Sequence, residues 1–175
     1  IIFYFFIITI INLELKVIYN KSVYKYIVML YSLLANFCLL FLPIYFFSKD
    51  SIFIPFLYII FSIWVFDTCS FLGGSFFKGM KIFPKISSGK TYSGLFSGFL
   101  SLLILNFIIL YFFKLTFYNI FFYSVLIATT SFIGDALVSI IKRSAKIKDT
   151  GNTLPGHGGV LDRMDSFIFV FFIII

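Results

Sequence analysis

Charged positions cut the chain into long apolar blocks. Residues 1–13 precede Glu14, 26–48 lie uncharged between Lys25 and Lys49, and 51–77 contain one charge, Asp67. Residues 91–113 lie uncharged between Lys90 and Lys114, 115–141 contain only Asp135, and 166–175 follow Asp165. At a rise of 1.5 Å per residue, about 20 residues of helix cross roughly 30 Å of hydrocarbon. The four interior blocks reach that length. The two terminal blocks are too short, so they are cut or enter only part way. All the blocks are apolar on nearly every side, as membrane helices are. None shows the alternating polarity of a barrel strand of about ten residues. The pattern predicts an all-α, polytopic transmembrane helical bundle with about 4–6 spans, a single integral membrane domain over residues 1–175.

Composition agrees. Apolar residues make up 61% of the chain and charged residues 12%, where a soluble domain is about a quarter charged. An ordinary water-soluble globule is excluded, and so is a disordered tail, which needs low hydrophobicity. The 28 Phe form no repeat and reflect a bias of composition. Cys38 and Cys69 lie in apolar stretches without histidines at ligand spacing. They read as small buried hydrophobes, not as a metal or disulfide framework. The chain opens on Ile1 rather than Met, so it is read as truncated at the N-terminus. It shows no signal-peptide cleavage pattern.

Charge then orients the spans. Fourteen Lys and Arg oppose seven Asp and Glu, and they are unevenly placed. The successive links carry three (Lys16, Lys21, Lys25), one (Lys49), four (Lys78, Lys81, Lys85, Lys90), one (Lys114) and five (Lys142, Arg143, Lys146, Lys148, Arg163). Every second link is basic, which by the positive-inside rule puts links one, three and five in the cytoplasm. The outer turns are too short to hold a site. The active site is therefore expected in the cytoplasmic loops of an integral protein, with the bacterial inner (plasma) membrane as its expected location.

Two carboxylates lie inside apolar blocks. A charge at the bilayer centre costs about 3 kcal/mol on insertion scales, so Asp67 and Asp135 are functional candidates. Each could instead be protonated or hydrogen-bonded to a neighbouring helix. Asp135 stands seven residues before Lys142, roughly 10 Å from that boundary along a helix. The segment from Gly134 to Asp165 reads GDALVSIIKRSAKIKDTGNTLPGHGGVLDRMD. Asp162 and Asp165 share one face of a helix. They could hold a hard divalent cation, or simply favour a helix start. Gly156, Gly158 and Gly159 surround His157 and would let backbone N–H groups approach an anion. Lys142, Arg143, Lys146 and Lys148 could neutralise phosphates or lie on an anionic membrane surface. In the other long link, PKISSGKTYSG at 84–94, the donors Ser87, Ser88, Lys90 and Thr91 flank Gly89. That is a plausible phosphate cradle, but it lacks the leading glycine and the spacing of a P-loop.

The run from Ser139 to Asp165 resembles the signature of the phosphatidate cytidylyltransferases (CDP-diacylglycerol synthases). That pattern has a Ser, Lys-Arg, Lys-Asp, a Pro-x-His-Gly-Gly step and a closing Asp-Arg-x-Asp. Here the matching residues are Ser139, Lys142, Arg143, Lys148, Asp149, Pro155, His157, Gly158, Gly159, Asp162, Arg163 and Asp165. Asp67, Thr68 and the stretch from Ser87 to Thr91 also look like a second conserved region of the family. Ser88, Ser93 and Val138 stand where the family usually has Pro, Glu and Glu. The members in question are longer at the N-terminus, with more spans.

The resemblance implies a reaction of CTP with phosphatidate that gives CDP-diacylglycerol and pyrophosphate. It implies Mg²⁺ held by Asp135, Asp162 and Asp165, with room for a second, monovalent cation such as K⁺. Lys142, Arg143 and Lys148 would hold phosphates, and Arg163 could bind one bidentately. Ser87, Lys90 and Thr91 would help seat the nucleotide or pyrophosphate. Asp67, Ser139, Gly158 and Gly159 join the substrate-binding set, and His157 joins the catalytic one. The expected partners are CTP, phosphatidate, membrane lipids and a second copy in a homodimer, with no nucleic acid. Two rivals remain. One is a CTP-dependent polyprenol or phytol kinase, in which a lipid alcohol attacks the γ-phosphate. The other is a non-enzymatic protein, either a transporter or channel subunit or a decayed copy. A transporter would carry polar residues at the midplane of several spans, whereas here they gather at one face.

Overall fold

The computed structural model describes residues 2–47, 53–84, 86–112, 117–153, 156 and 158–174. Six helices lie among them: α1 (Ile2–Lys21), α2 (Lys25–Phe47), α3 (Phe53–Phe77), α4 (Tyr92–Phe112), α5 (Phe117–Ser144) and α6 (Leu161–Ile174). The all-α class holds. Three of the helices contain apolar stretches long enough to cross a membrane, Phe56–Phe77, Tyr92–Ile109 and Tyr118–Ser144. The apolar stretch of α2 that qualifies among the described residues, Lys25–Phe41, is shorter. Those three stretches meet the spanning length among the described residues. The large exposed side chains of α3 and α4 include Trp64, Phe71, Phe96 and Phe107. Such a row is intolerable in water and ordinary against lipid tails. The chain is an integral membrane protein.

The residues fall into two compact units, 1–50 with 133–175, and 51–132. In the 51–132 unit, α3 and α4 meet through small residues. A Cβ at Gly73 would lie 1.8 Å from Ser97 Oγ, and one at Gly98 would lie 2.0 Å from Ser70 Oγ. Small side chains let helix backbones approach closely, the main source of attraction where lipid is as apolar as Leu. One polar relay in this unit links three of its helices. Tyr58 donates to Asn106 (2.7 Å), Asn106 to Ser124 (2.7 Å), and Ser124 to the Ile120 carbonyl (2.8 Å).

The basic link 78–90 is more ordered than a loop. Strands β1 (Lys81–Phe83) and β2 (Ser87–Thr91) form an antiparallel hairpin. Ile86 N–H donates to the Phe83 carbonyl (3.1 Å) across the turn that carries Pro84. Proline pre-sets the backbone for such a turn. The strand runs straight into α4, whose start Thr91 caps by accepting from Gly94 N–H (3.1 Å).

In the other unit an apolar cluster joins Ile11, Leu15 and Ile18 of α1, Val28, Ala35 and Leu39 of α2, Val138 and Ile141 of α5, and Leu161 and Ile168 of α6. Asn12 and Asn36 exchange two amide bonds of 2.8 Å between α1 and α2. Helix α1 does not stop at Glu14. It runs on to Lys21, so the charge lies inside the helix and not at its boundary. Just past the end of α5, Lys146 takes the left-handed region (φ 56). Lys146 N–H reaches the Arg143 carbonyl (3.0 Å) and Ile147 N–H reaches the Lys142 carbonyl (3.1 Å). These bonds satisfy carbonyls that the helix end leaves open.

Candidate active site

The end of α5, the loop after it and the start of α6 carry the 139–165 signature. The chain folds there around two carboxylates. Asp162, in the first turn of α6, accepts from Lys142 Nζ at Oδ1 (2.8 Å). Its Oδ2 accepts from Thr150 N–H (2.9 Å), Gly159 N–H (3.0 Å) and the Thr150 hydroxyl (3.1 Å). Burial pushes the Asp162 carboxyl up. The Lys142 hydrogen bond, the backbone donors of Thr150 and Gly159 and the Lys142 charge outweigh it, and hold the group below the ordinary carboxylate value.

Glu14, 5% exposed on α1, is the second. It accepts from the Thr150 hydroxyl (2.8 Å), Val160 N–H (2.9 Å), Leu161 N–H (2.9 Å) and the Thr153 hydroxyl. The N–H groups that open α6 are therefore satisfied from another helix.

The glycines follow from these carboxylates. Gly158 has φ +85, and a Cβ there would lie 3.0 Å from Asp162 Oδ2. A Cβ at Gly159 would lie 2.0 Å from Thr150 Oγ1 and 2.5 Å from Glu14 Oε2. The sequence marked this run as a place where an anion approaches the backbone. The anions it admits in this fold are the protein's own.

The expected site residues are only partly gathered. Asp135 is half-buried on α5, and Ser139 donates to it at 3.5 Å. Its neighbour Gly134 is the close-approach point of α5 and α6. A Cβ there would lie 2.7 Å from Phe169 Cβ and 3.0 Å from the Asp165 carbonyl. Asp135 and Asp165 thus flank one helix crossing. The Tyr31 hydroxyl is buried without a hydrogen-bond partner and lies within electrostatic reach of both Asp165 and Asp135. Arg143, expected on phosphate, donates to the Ile147 carbonyl (2.9 Å) at the end of α5. Lys148 and Arg163 are exposed. His157 and Pro155 lie outside the described residues.

In the 51–132 unit, Asp67 accepts from Ser131 (3.1 Å). Lys90 donates to the Phe132 carbonyl (3.2 Å) and sits 4.6 Å from the centre of that ring. Thr91 is the α4 cap, and Ser87 pairs with Phe83 in the hairpin. Within this unit those residues brace secondary structure.

Among the described residues no three Asp, Glu, His or Cys side chains gather as a metal-holding group. The three-aspartate set of the sequence reading is therefore not assembled, because both oxygens of Asp162 are engaged elsewhere. Asp135 and Asp165 lie on the two helices that meet at Gly134, and the Tyr31 hydroxyl is buried without a hydrogen-bond partner. Mg²⁺ commonly takes one or two carboxylates and completes its shell with phosphates and water. Glu14, Thr150, Thr153 and Tyr31 were not among the expected residues. A carboxylate inside an apolar helix was the available signal for Glu14.

The chain is similar in sequence to known proteins. The phosphatidate cytidylyltransferase of Rickettsia conorii is 38% identical over 113 residues, which is 60% of this chain and 49% of that one. The one from Staphylococcus epidermidis is 36% identical over 118 residues, 65% of this chain and 45% of that one. The uncharacterized protein YnbB of Escherichia coli is 38% identical over 104 residues, 59% of this chain and 35% of that one. The chain spans about half the length, or less, of these relatives. The family model described as the cytidylyltransferase family matches residues 1–175, the whole chain, signature loop and spans together. The chain belongs to the cytidylyltransferase family.

Proposed function

We propose that the protein is a phosphatidate cytidylyltransferase. A phosphate oxygen of phosphatidate attacks the α-phosphorus of CTP, forming CDP-diacylglycerol and releasing pyrophosphate. The family match over the whole chain carries the reading, supported by relatives that bear this name. Nucleophile and electrophile are both anionic and repel, so the protein must supply positive charge and hold both partners. Lys148 and Arg163, both exposed around the signature loop, suit the phosphates. Asp135 and Asp165 would hold Mg²⁺, which would supply positive charge against the charge that develops on the phosphates. No protein nucleophile is needed, since the lipid phosphate is already ionised. Lys142 neutralises Asp162 and keeps the loop closed on α6.

The test is an assay of purified protein in detergent, with CTP labelled in the α- or γ-phosphate, Mg²⁺, and phosphatidate, polyprenol or phytol as acceptor. The reading requires α-label in the lipid with phosphatidate alone. Transfer of γ-label to an alcohol would make the protein a lipid kinase. No transfer in any arm would leave it non-catalytic.

The same proposal places the signature loop in the cytoplasm. With Cys38 and Cys69 replaced, single cysteines at Lys49 and Lys146 should label from opposite sides of sealed cells. Labelling of both from outside would overturn the orientation, and the access of CTP to the loop with it.

A further inference from the structure

The contacts of Glu14 reach beyond its helix. Its carboxylate accepts from two backbone N–H groups and two hydroxyls, all supplied by residues 150–161. Thr150 joins the two carboxylates: its hydroxyl donates to Glu14 Oε2 (2.8 Å) and its N–H to Asp162 Oδ2 (2.9 Å). Asp162 in turn holds Lys142 at 2.8 Å. An unbroken polar chain therefore runs from α1 through the loop and α6 to α5. Its members are little exposed: Glu14 5%, Thr150 4%, and the Lys142 and Asp162 side chains 13% and 9%. A buried carboxylate is costly unless it is fully hydrogen-bonded, and unmaking one partner costs more than the bond contributed. A helix start pinned from outside is fixed in place, and α6 carries Asp165 one turn further on.

We propose that Glu14 is a positioning residue for the reaction. It fixes the signature loop and the start of α6, and so sets where Arg163 and Asp165 stand. It touches no substrate itself. The consequence rests on the proposed cytidylyl transfer, whereas the tie between Glu14 and the loop does not. The proposal also removes the N-terminus of α6 from the candidate phosphate sites, because Glu14 already fills it.

The experiment uses the full chain in detergent with Cys38 and Cys69 replaced. A nitroxide is placed at Asn152 in the loop, or at Met80 in the hairpin link as a control; both positions are exposed. In Glu14→Gln the amide NH₂ faces donors and cannot accept. The Asn152 spectrum should become mobile and the Met80 spectrum should not change. Cytidylyl transfer should fall about 10²-fold, the size expected of a misplacement of about 1 Å. Adding Thr150→Val to Glu14→Gln should cost little more, since both break one chain. An unchanged Asn152 spectrum overturns the proposal, and so do losses that multiply in the double variant. If Glu14→Gln does not fold, Thr150→Val and Thr153→Val remove donors of nearly the same shape. Wild-type spectra and activity in both would equally overturn it. If the unmutated chain transfers no cytidylyl group, the function has failed, and the Asn152 spectra still decide the role of Glu14 in the loop.

Discussion

Asp162→Asn is expected to lower stability by about 3 kcal/mol, the lower end of what breaking one side of a buried ion pair costs. Turnover should fall by about 10²-fold or more. The reason is the loss of an acceptor at the centre of the loop. Lys142 Nζ, Thr150 N–H and Gly159 N–H all converge on this carboxylate. An amide offers one oxygen to those donors and turns an NH₂ towards the rest. Lys142→Met in the same background should restore part of the stability, because it removes the orphaned charge, and should not restore turnover. Thermal unfolding in detergent beside the transfer assay separates the two. The wild-type pair also has a pH signature. The folded pKa of Asp162 lies below its unfolded value of about 4. Its stabilisation is complete above that value and is lost as pH falls through the lowered folded one. The wild-type protein should therefore show an acid-side loss of stability that Asp162→Asn lacks, with no step from this group between about pH 5 and 8. Equal stability and turnover in Asp162→Asn would mean that the pair does not hold the loop.

Much of the fold was legible because hydrophobic length is a strong signal in lipid. The blocks 51–77, 91–113 and 115–141 became α3, α4 and α5 with boundaries moved by only a few residues. Where the sequence misled, the cause was the use of charge as punctuation. Glu14 and Lys16 seemed to end a block, but α1 continues through both, and the Glu14 carboxylate is hydrogen-bonded by donors of the protein. Lys142 and Arg143 seemed to begin a loop, but α5 carries them in its last turn, where cations suit the helix dipole. The hairpin of 81–91 went unread because its strands are only three and five residues long. Its one visible mark was Pro84 between them.

The site was legible as a place and less so as an arrangement. Motif residues tell where chemistry collects, but not which of them bond to each other. Lys142 and Asp162 were assigned to substrate and metal, and they are bonded to each other. Gly158 and Gly159 were assigned to an incoming anion, and they make room for Asp162 and Glu14. Spacing along one segment cannot reveal a partner 136 residues away, as with Glu14 and Thr150. Val138, where the resemblance led one to expect Glu, is fully buried in the apolar cluster, so this chain packs that position with hydrocarbon.

Asp135→Asn should abolish turnover, with a fall of about 10³-fold, the upper end for loss of one preorganised electrostatic contact. It should do so while the protein remains folded and inserted. Asp135 is half-buried in a spanning helix, where an uncompensated charge is expensive. Ser139 donates to it at 3.5 Å. Gly134 brings the α6 backbone at Asp165 against the same turn of α5, and the Tyr31 hydroxyl is buried there unpaired. Asp135 and Asp165, carried by the two helices that meet there, would offer carboxylate oxygens to a hard cation. Asparagine keeps the shape and removes the charge. Asp165→Asn should resemble it, and the double variant should be little worse than either single one, as for groups that act as a unit. Binding must change as well as rate, so Mn²⁺ titration followed by electron paramagnetic resonance, with and without CTP, is the second readout. Both single variants should weaken Mn²⁺ binding and its dependence on CTP. If Asp135→Asn keeps wild-type activity and the same Mg²⁺ titration, the carboxylate is only a helix contact, and the cation must be held elsewhere.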